Sequence, residues 1–133
     1  LCTPIGTGGT MAGLLEGART PQEVWGFSAL KGVDFVKQLE AYGEGISRTI
    51  FTHYHFGGYA KANRELIDFI NNFKACTQVP LDPIYTGKMM FGLLDVLRTS
   101  SGIDISEILV LHTGGLQGIE GFNASNKALS NIS

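Results

Sequence analysis

The sequence has no marked excess of either charge. Ten basic and twelve acidic residues leave a formal net charge of −2 over 133 residues. The two signs are interspersed, so there is no basic patch for nucleic acid or for an anionic membrane. Cysteine is scarce: Cys2 and Cys76 are the only two. Two widely spaced thiols, with no secretory signal pattern, exclude a disulfide framework and point to a reducing compartment, expected to be the cytoplasm. No apolar run approaches the roughly 18 residues of a membrane helix. Neither an internal repeat nor a low-complexity linker interrupts the chain.

What is there is a globular composition, 44% hydrophobic and 17% charged, in a length that suits one compact domain. Glycine is the anomaly. Eighteen residues exceed the usual share of about 7%, and they cluster beside apolar runs without a fixed period. Backbone turns and close ligand approaches explain such clusters.

Strand and helix signals alternate. "EVWGFSA" (23–29) reads as a strand, and "DFVKQLEAY" (34–42) as a helix with Phe35, Val36, Leu39 and Tyr42 at helical spacing. "RTIFTH" (48–53) is a short strand. A helical stripe of Tyr59, Leu66, Ile67, Ile70 and Phe73 follows, then the breakers Pro80 and Pro83. "GKMMFGLLDVLR" restarts a helix with Met89, Met90, Leu93, Leu94 and Leu97 on its face. "EILVLHTGG" (107–115) is apolar enough for a central strand covered on both faces. This order predicts an α/β fold: a twisted, mostly parallel sheet flanked by helices, with ligands at the carboxyl ends of the strands. The glycine turns after Thr3 and after Leu111 both fall at that edge. From Asn123 onward the chain is polar and expected to fray.

The most informative stretch is "TPIGTGGTMAGL" near the start, with four glycines in eight positions. Successive N–H groups in such a turn point at an anion, and a helix N-terminus adds partial positive charge. Two familiar cradles fail here. A dinucleotide fingerprint from Gly6 needs glycine where Met11 stands, and an acid at the end of the next strand, which closes on Phe27, Ser28 and Ala29. A Walker loop needs a lysine that is missing. A compact "GTGGT" cup for one phosphate monoester remains, with Thr7 and Thr10 hydroxyls as extra donors; a glycine-rich start to a helix with no ligand is the alternative.

Four motifs in order, "GTGGTMAGL", "HYHFGGYAK", "VPLDPIYTGKMMFGLLDVL" and "ILVLHTGGLQG", resemble the pyridoxal-phosphate enzymes of the 1-aminocyclopropane-1-carboxylate deaminase/D-cysteine desulfhydrase family. The resemblance runs from Thr3 to about Gly121. It implies a tryptophan-synthase-β-like fold (fold type II) and pyridoxal 5′-phosphate as cofactor, its phosphate held by Thr7, Gly8, Gly9 and Thr10. It places Tyr85 beside the cofactor ring and substrate, and Thr113, followed by Gly114, near the pyridine nitrogen. A neutral hydroxyl there leaves that nitrogen largely unprotonated, which favours β-elimination over prolonged carbanion chemistry. Tyr85 and Thr86 are the implied catalytic positions. Members that open the cyclopropane ring look to carry glutamate after the tyrosine, whereas Thr86 resembles the D-cysteine desulfhydrases.

The implied substrate is a small amino acid, and the implied product set is pyruvate, ammonia and sulfide. The full-length protein is expected to be a homodimer. The family's Schiff-base lysine lies upstream of the phosphate loop, and none of Lys31, Lys37, Lys61, Lys74, Lys88 and Lys127 matches it. The chain is therefore expected to be the C-terminal, cofactor-binding part of a longer enzyme, inactive alone. A non-catalytic phosphate-binding α/β module is the competing expectation; a dehydratase-like relative ranks below both, for want of "YTGK" before "HTGG". Smaller features read as structural: His53 and His55 as hydrogen-bonded strand-end residues without a third metal ligand, His112 as packing, Met11, Met89, Met90 and Trp25 as core, and Asp82 as a turn cap.

Overall fold

The computed structural model describes residues 1–104, 107–126 and 131–133. Lys127 and part of the polar tail therefore lie outside the described residues. Three parallel strands, β1 (Cys2–Ile5), β2 (Glu23–Ser28) and β3 (Ser47–Phe51), form a sheet in the order β1-β2-β3. Cys2 pairs with Trp25 and Ile5 with Ser28; Glu23 pairs with Ser47 and Phe27 with Phe51. Period-two alternation sends Ile5 and Val24 to one face and Cys2 and Phe27 to the other.

Helix α1 (Gly9–Gly17) covers the first face through Met11, Ala12 and Leu15, together with Phe35 and Leu39 from around the short α2 (Phe35–Gln38). After α3 (Arg64–Thr77), helix α4 (Thr86–Thr99) covers the second face with Met89, Leu93 and Val96. Leu66, Ile67 and Ile70 of α3 form a further cluster with Leu81 and with Phe122 of α5 (Ile119–Ser125). Two glycines allow the layers to meet. A Cβ on Gly26 would collide with Ile5 and Met11, and one on Gly92 would come within 2.8 Å of Phe27.

Three sequence expectations are corrected here. The helix expected over 34–42 is one turn, capped by Asp34 at Lys37 N (3.1 Å); Val36 and Tyr42 of its expected stripe are exposed. The helix expected to start near residue 57 begins only at Arg64. Positive φ at Phe56, Gly57, Gly58 and Ala60 holds that segment in a loop, and the Asn63 side chain caps Leu66 N at 3.0 Å. Tyr59 is thus removed from the helical stripe and left 58% exposed. The 107–115 segment is not a central strand. It makes a single parallel bridge, Cys2 to Val110, at the outer side of β1, and leaves Leu109 59% exposed.

Gly26→Ala is expected to cost about 1–3 kcal/mol, because its methyl must displace Ile5 and Met11 in a packed layer. Urea unfolding with an unchanged m-value would read this; a loss below about 0.5 kcal/mol, the range of ordinary surface changes, would contradict the packing.

Candidate functional site

A cavity of about 320 Å³ opens where β1 ends and α1 begins, lined on one side by Pro4, Gly6, Thr7, Gly8, Gly9 and Thr10 and on the other by Tyr85, Thr113, Gly114, Gly115 and Gln117. Seven residues picked out by the sequence thus meet in one hollow: Thr7, Gly8, Gly9, Thr10, Tyr85, Thr113 and Gly114. They come from three separate stretches of chain.

The near wall is backbone. Gly8 stands at φ 92° before α1, and no side chain caps that helix. The orphan N–H groups of its first turn are left for an anion. Space beside Gly9 is open, with nothing within 4 Å of a Cβ built there. The loop is tethered from outside by Gln38 Nε2, which donates to Thr7 O at 2.8 Å. This is the part that the single turn of α2 plays.

The far wall is organised by Asp82, which is 1% exposed. Its Oδ2 accepts from Ile84 N (2.8 Å) and Tyr85 N (2.9 Å), and its Oδ1 accepts from Thr86 N (2.8 Å) and Thr86 Oγ1 (2.7 Å). Thr86 Oγ1 accepts in return from Asp82 N at 2.9 Å. The Thr86 hydroxyl is therefore used up inside this knot. Thr86 is fully buried and does not line the cavity, so the structure places it behind Tyr85, away from a position facing a substrate.

The second loop docks onto the same knot. Gly115 (φ 88°) lies so close that a Cβ would sit 2.9 Å from the Asp82 carboxyl carbon. His112 bonds Pro80 O through Nε2 (2.8 Å) and Gly114 N through Nδ1 (3.2 Å). Both contacts are met by a neutral ring with its proton on Nε2. His112 is an exposed, hydrogen-bonded brace, whereas packing was expected. His55 is likewise structural: Nδ1 accepts from Gly57 N at 2.9 Å.

Tyr85 closes the space between the walls. A Cβ on Gly6 would come within 2.9 Å of its ring, and the Tyr59 ring centroid lies 6.2 Å away. Burial first, then the Tyr59 hydroxyl and the Asp82 charge, push the Tyr85 phenol above its ordinary range. It is protonated at neutral pH and can donate. Gly6 belongs to the expected "GTGGT" cup and Asp82 is the turn cap expected from the sequence; sequence reasoning gave no role to Pro4, Gly115 or Gln117, of which Gly115 lies within the "HTGG" motif. No lysine is among the lining residues. Lys88, one turn beyond Tyr85, is buried and donates to the main-chain oxygens of His55 (2.8 Å) and Gly58 (2.7 Å). Among the described residues no group of three or more metal-ligating side chains occurs, and no helix is long and apolar enough to cross a membrane.

A Pyrococcus furiosus protein assigned provisionally as a 1-aminocyclopropane-1-carboxylate deaminase is 36% identical over 94% of this chain and 41% of its own length. A D-cysteine desulfhydrase of Klebsiella pneumoniae is 31% identical over 83% of this chain and 38% of its own. The crystal structure of an ACC deaminase homologue superposes with a TM-score of 0.74 at 26% identity, covering 96% of this chain and 43% of that one. The chain is similar over most of its length to the 1-aminocyclopropane-1-carboxylate deaminase/D-cysteine desulfhydrase family. It spans about two fifths of the length of the curated relatives it matches. No family model matches it. The α/β fold with a parallel sheet flanked by helices is the one that the family implies.

Asp82→Ala would strand the buried N–H and hydroxyl of Thr86 and the part-buried N–H groups of Ile84 and Tyr85, and is expected to cost about 3 kcal/mol in thermal or urea unfolding. Asp82→Asn keeps acceptor oxygen on one side only and should cost less. Equal stability of Asp82→Ala and the parent chain would remove the knot from the argument.

Proposed function

We propose that this chain supplies the phosphate cup and the ring-facing side chains of a pyridoxal-phosphate-dependent lyase. Its substrate would be a small amino acid, with D-cysteine favoured and pyruvate, ammonia and sulfide as products. The observation that carries the reading is the shared cavity: an uncapped helix N-terminus and glycine turn on one wall, Tyr85 and Thr113 on the other.

The donor set fits the cofactor at both ends. Backbone N–H groups of Gly8, Gly9 and Thr10, with the Thr7 and Thr10 hydroxyls, would hold the phosphate without a cationic side chain. Thr113 offers a neutral hydroxyl to the pyridine nitrogen. When bound, the cofactor supplies an electron sink for the substrate's α-carbon. Tyr85, kept protonated by its surroundings, presents a proton at its phenolic oxygen. Asp82 fixes the backbone from which Tyr85 projects, and Gly115 lets the Thr113 loop close on that point.

The relatives' names divide between the two substrates, and position 86 is what favours D-cysteine. At position 86 the hydroxyl is bonded to a buried carboxylate, and a glutamate there would set a second negative charge against Asp82. A second reading is a phosphate-binding module without catalysis of its own, since no lysine lines the cavity. Under the first reading the lysine and the smaller domain come from the rest of a longer protein that pairs as a homodimer, working in a reducing compartment such as the cytoplasm.

Pyridoxal phosphate is expected to bind this chain saturably, followed by its absorbance, with inorganic phosphate competing. Gly9→Asp, which has room for its side chain, should weaken binding about tenfold or more through like-charge repulsion while leaving the fold intact. Absence of binding, or no effect of Gly9→Asp, would overturn the cup. Sulfide release from D-cysteine by a lysine-bearing full-length protein separates the lyase from the module.

A further inference from the structure

Between β3 and α3 the backbone runs through a conformation that most side chains avoid. φ is 52° at Phe56, 98° at Gly57, 120° at Gly58 and 53° at Ala60. Phe56 and Ala60 are not glycines, and left-handed residues of that kind persist only where their surroundings over-determine them. The loop's own ties are short-range: Gly57 N to His55 Nδ1 (2.9 Å), Gly58 N to His55 O (3.0 Å) and Lys61 N to Gly58 O (3.2 Å).

Two further ties come from α4: the Phe56 ring meets Phe91 edge-on with centroids 5.0 Å apart, and Lys88 grips the turn itself. Lys88, in the first turn of α4, is 1% exposed and donates to His55 O (2.8 Å) and Gly58 O (2.7 Å). Its two acceptors are main-chain carbonyls and not carboxylates. A buried ammonium is costly unless dipoles replace its water. Here two carbonyls of one turn do so, as they would around a small cation. Burial pulls Lys88 down to about 8, with the Asp82 charge opposing, so the ammonium form dominates at neutral pH. The turn so gripped leads directly into Tyr59, whose ring lies tilted against that of Tyr85.

We propose that Lys88 is a positioning residue, an internal cation that grips the His55–Gly58 turn and thereby holds Tyr59 against Tyr85 at the cavity. The proposal rests on the reading above only for the importance of Tyr85; its test needs no cofactor. The function missed by the lysine inventory is thus mechanical, and it links α4 to the loop across 30 residues or more of sequence.

Hydrogen exchange on the whole chain tests it. In Lys88→Met, amides of residues 57–61 are expected to exchange about tenfold faster or more, while those of α3 and α4 keep their protection. In the same variant the near-ultraviolet circular dichroism of the tyrosines should weaken, because the Tyr59 ring leaves that of Tyr85. In Lys88→Ala, ammonium chloride should restore loop protection where choline chloride does not. Unchanged loop exchange, or a loosened loop with unchanged tyrosine circular dichroism, overturns the proposal. Should Lys88→Met fail to fold, Ala60→Gly in that background relieves the left-handed strain. Recovery of folding supports the proposal, and continued failure means that Lys88 serves the core alone, which overturns it. A chain that binds no pyridoxal phosphate would leave these outcomes untouched.

Discussion

The buried carboxylate of Asp82 ties together every part of the far wall. Four donors converge on its two oxygens, and all four come from the next four residues. Between Pro80 and Pro83 the chain has little freedom of its own, so the carboxylate chooses the direction in which α4 starts. Tyr85 takes its place from that choice. Because the 112–115 loop also settles here, through Gly115 on the carboxylate and His112 on Pro80 O, two stretches distant in sequence share one anchor. Loss of the anchor would free both at once.

The near wall is held differently, by shape. Gly26 and Gly92 let helices approach the sheet from both sides more closely than any side chain would permit. That closeness places the N-terminus of α1 at the end of β1 with its first turn turned to the cavity. The walls meet where the Tyr85 ring lies over Gly6, a contact that needs a residue without a Cβ. Positive potential at this wall comes from backbone dipoles, and no lysine or arginine lines the cavity. A net charge of −2 is no obstacle to such a site, since dipoles act within a turn's length and are little affected by distant charges.

Much of this was legible in the chain. The glycine cup, Tyr85 and Thr113 fall within short motifs whose chemistry is local, and the parallel α/β order follows from alternating periods. The errors have physical causes as well. The apolar period of 57–73 suggested one long helix, but left-handed residues at 56, 57, 58 and 60 delay its start to Arg64. Apolar content in 107–115 suggested a central strand, although pairing partners, not hydrophobicity, decide where a strand lies; a single bridge to Cys2 leaves this one at the margin. Thr86 was singled out by its place in a motif. Its neighbour Asp82, four residues back, had already taken its hydroxyl.

By itself the sequence determined the repertoire: a phosphate-sized glycine turn, a tyrosine and a hydroxyl at family positions, and a core divided among strands and helices. These follow from backbone freedom and side-chain period, which are properties of a few consecutive residues. Only the tertiary structure decided which side chains look into the cavity and which look away, and that Lys88 and Asp82 serve as buried anchors. A buried charge is tolerable only where distant dipoles or donors surround it, and no local pattern records that surrounding.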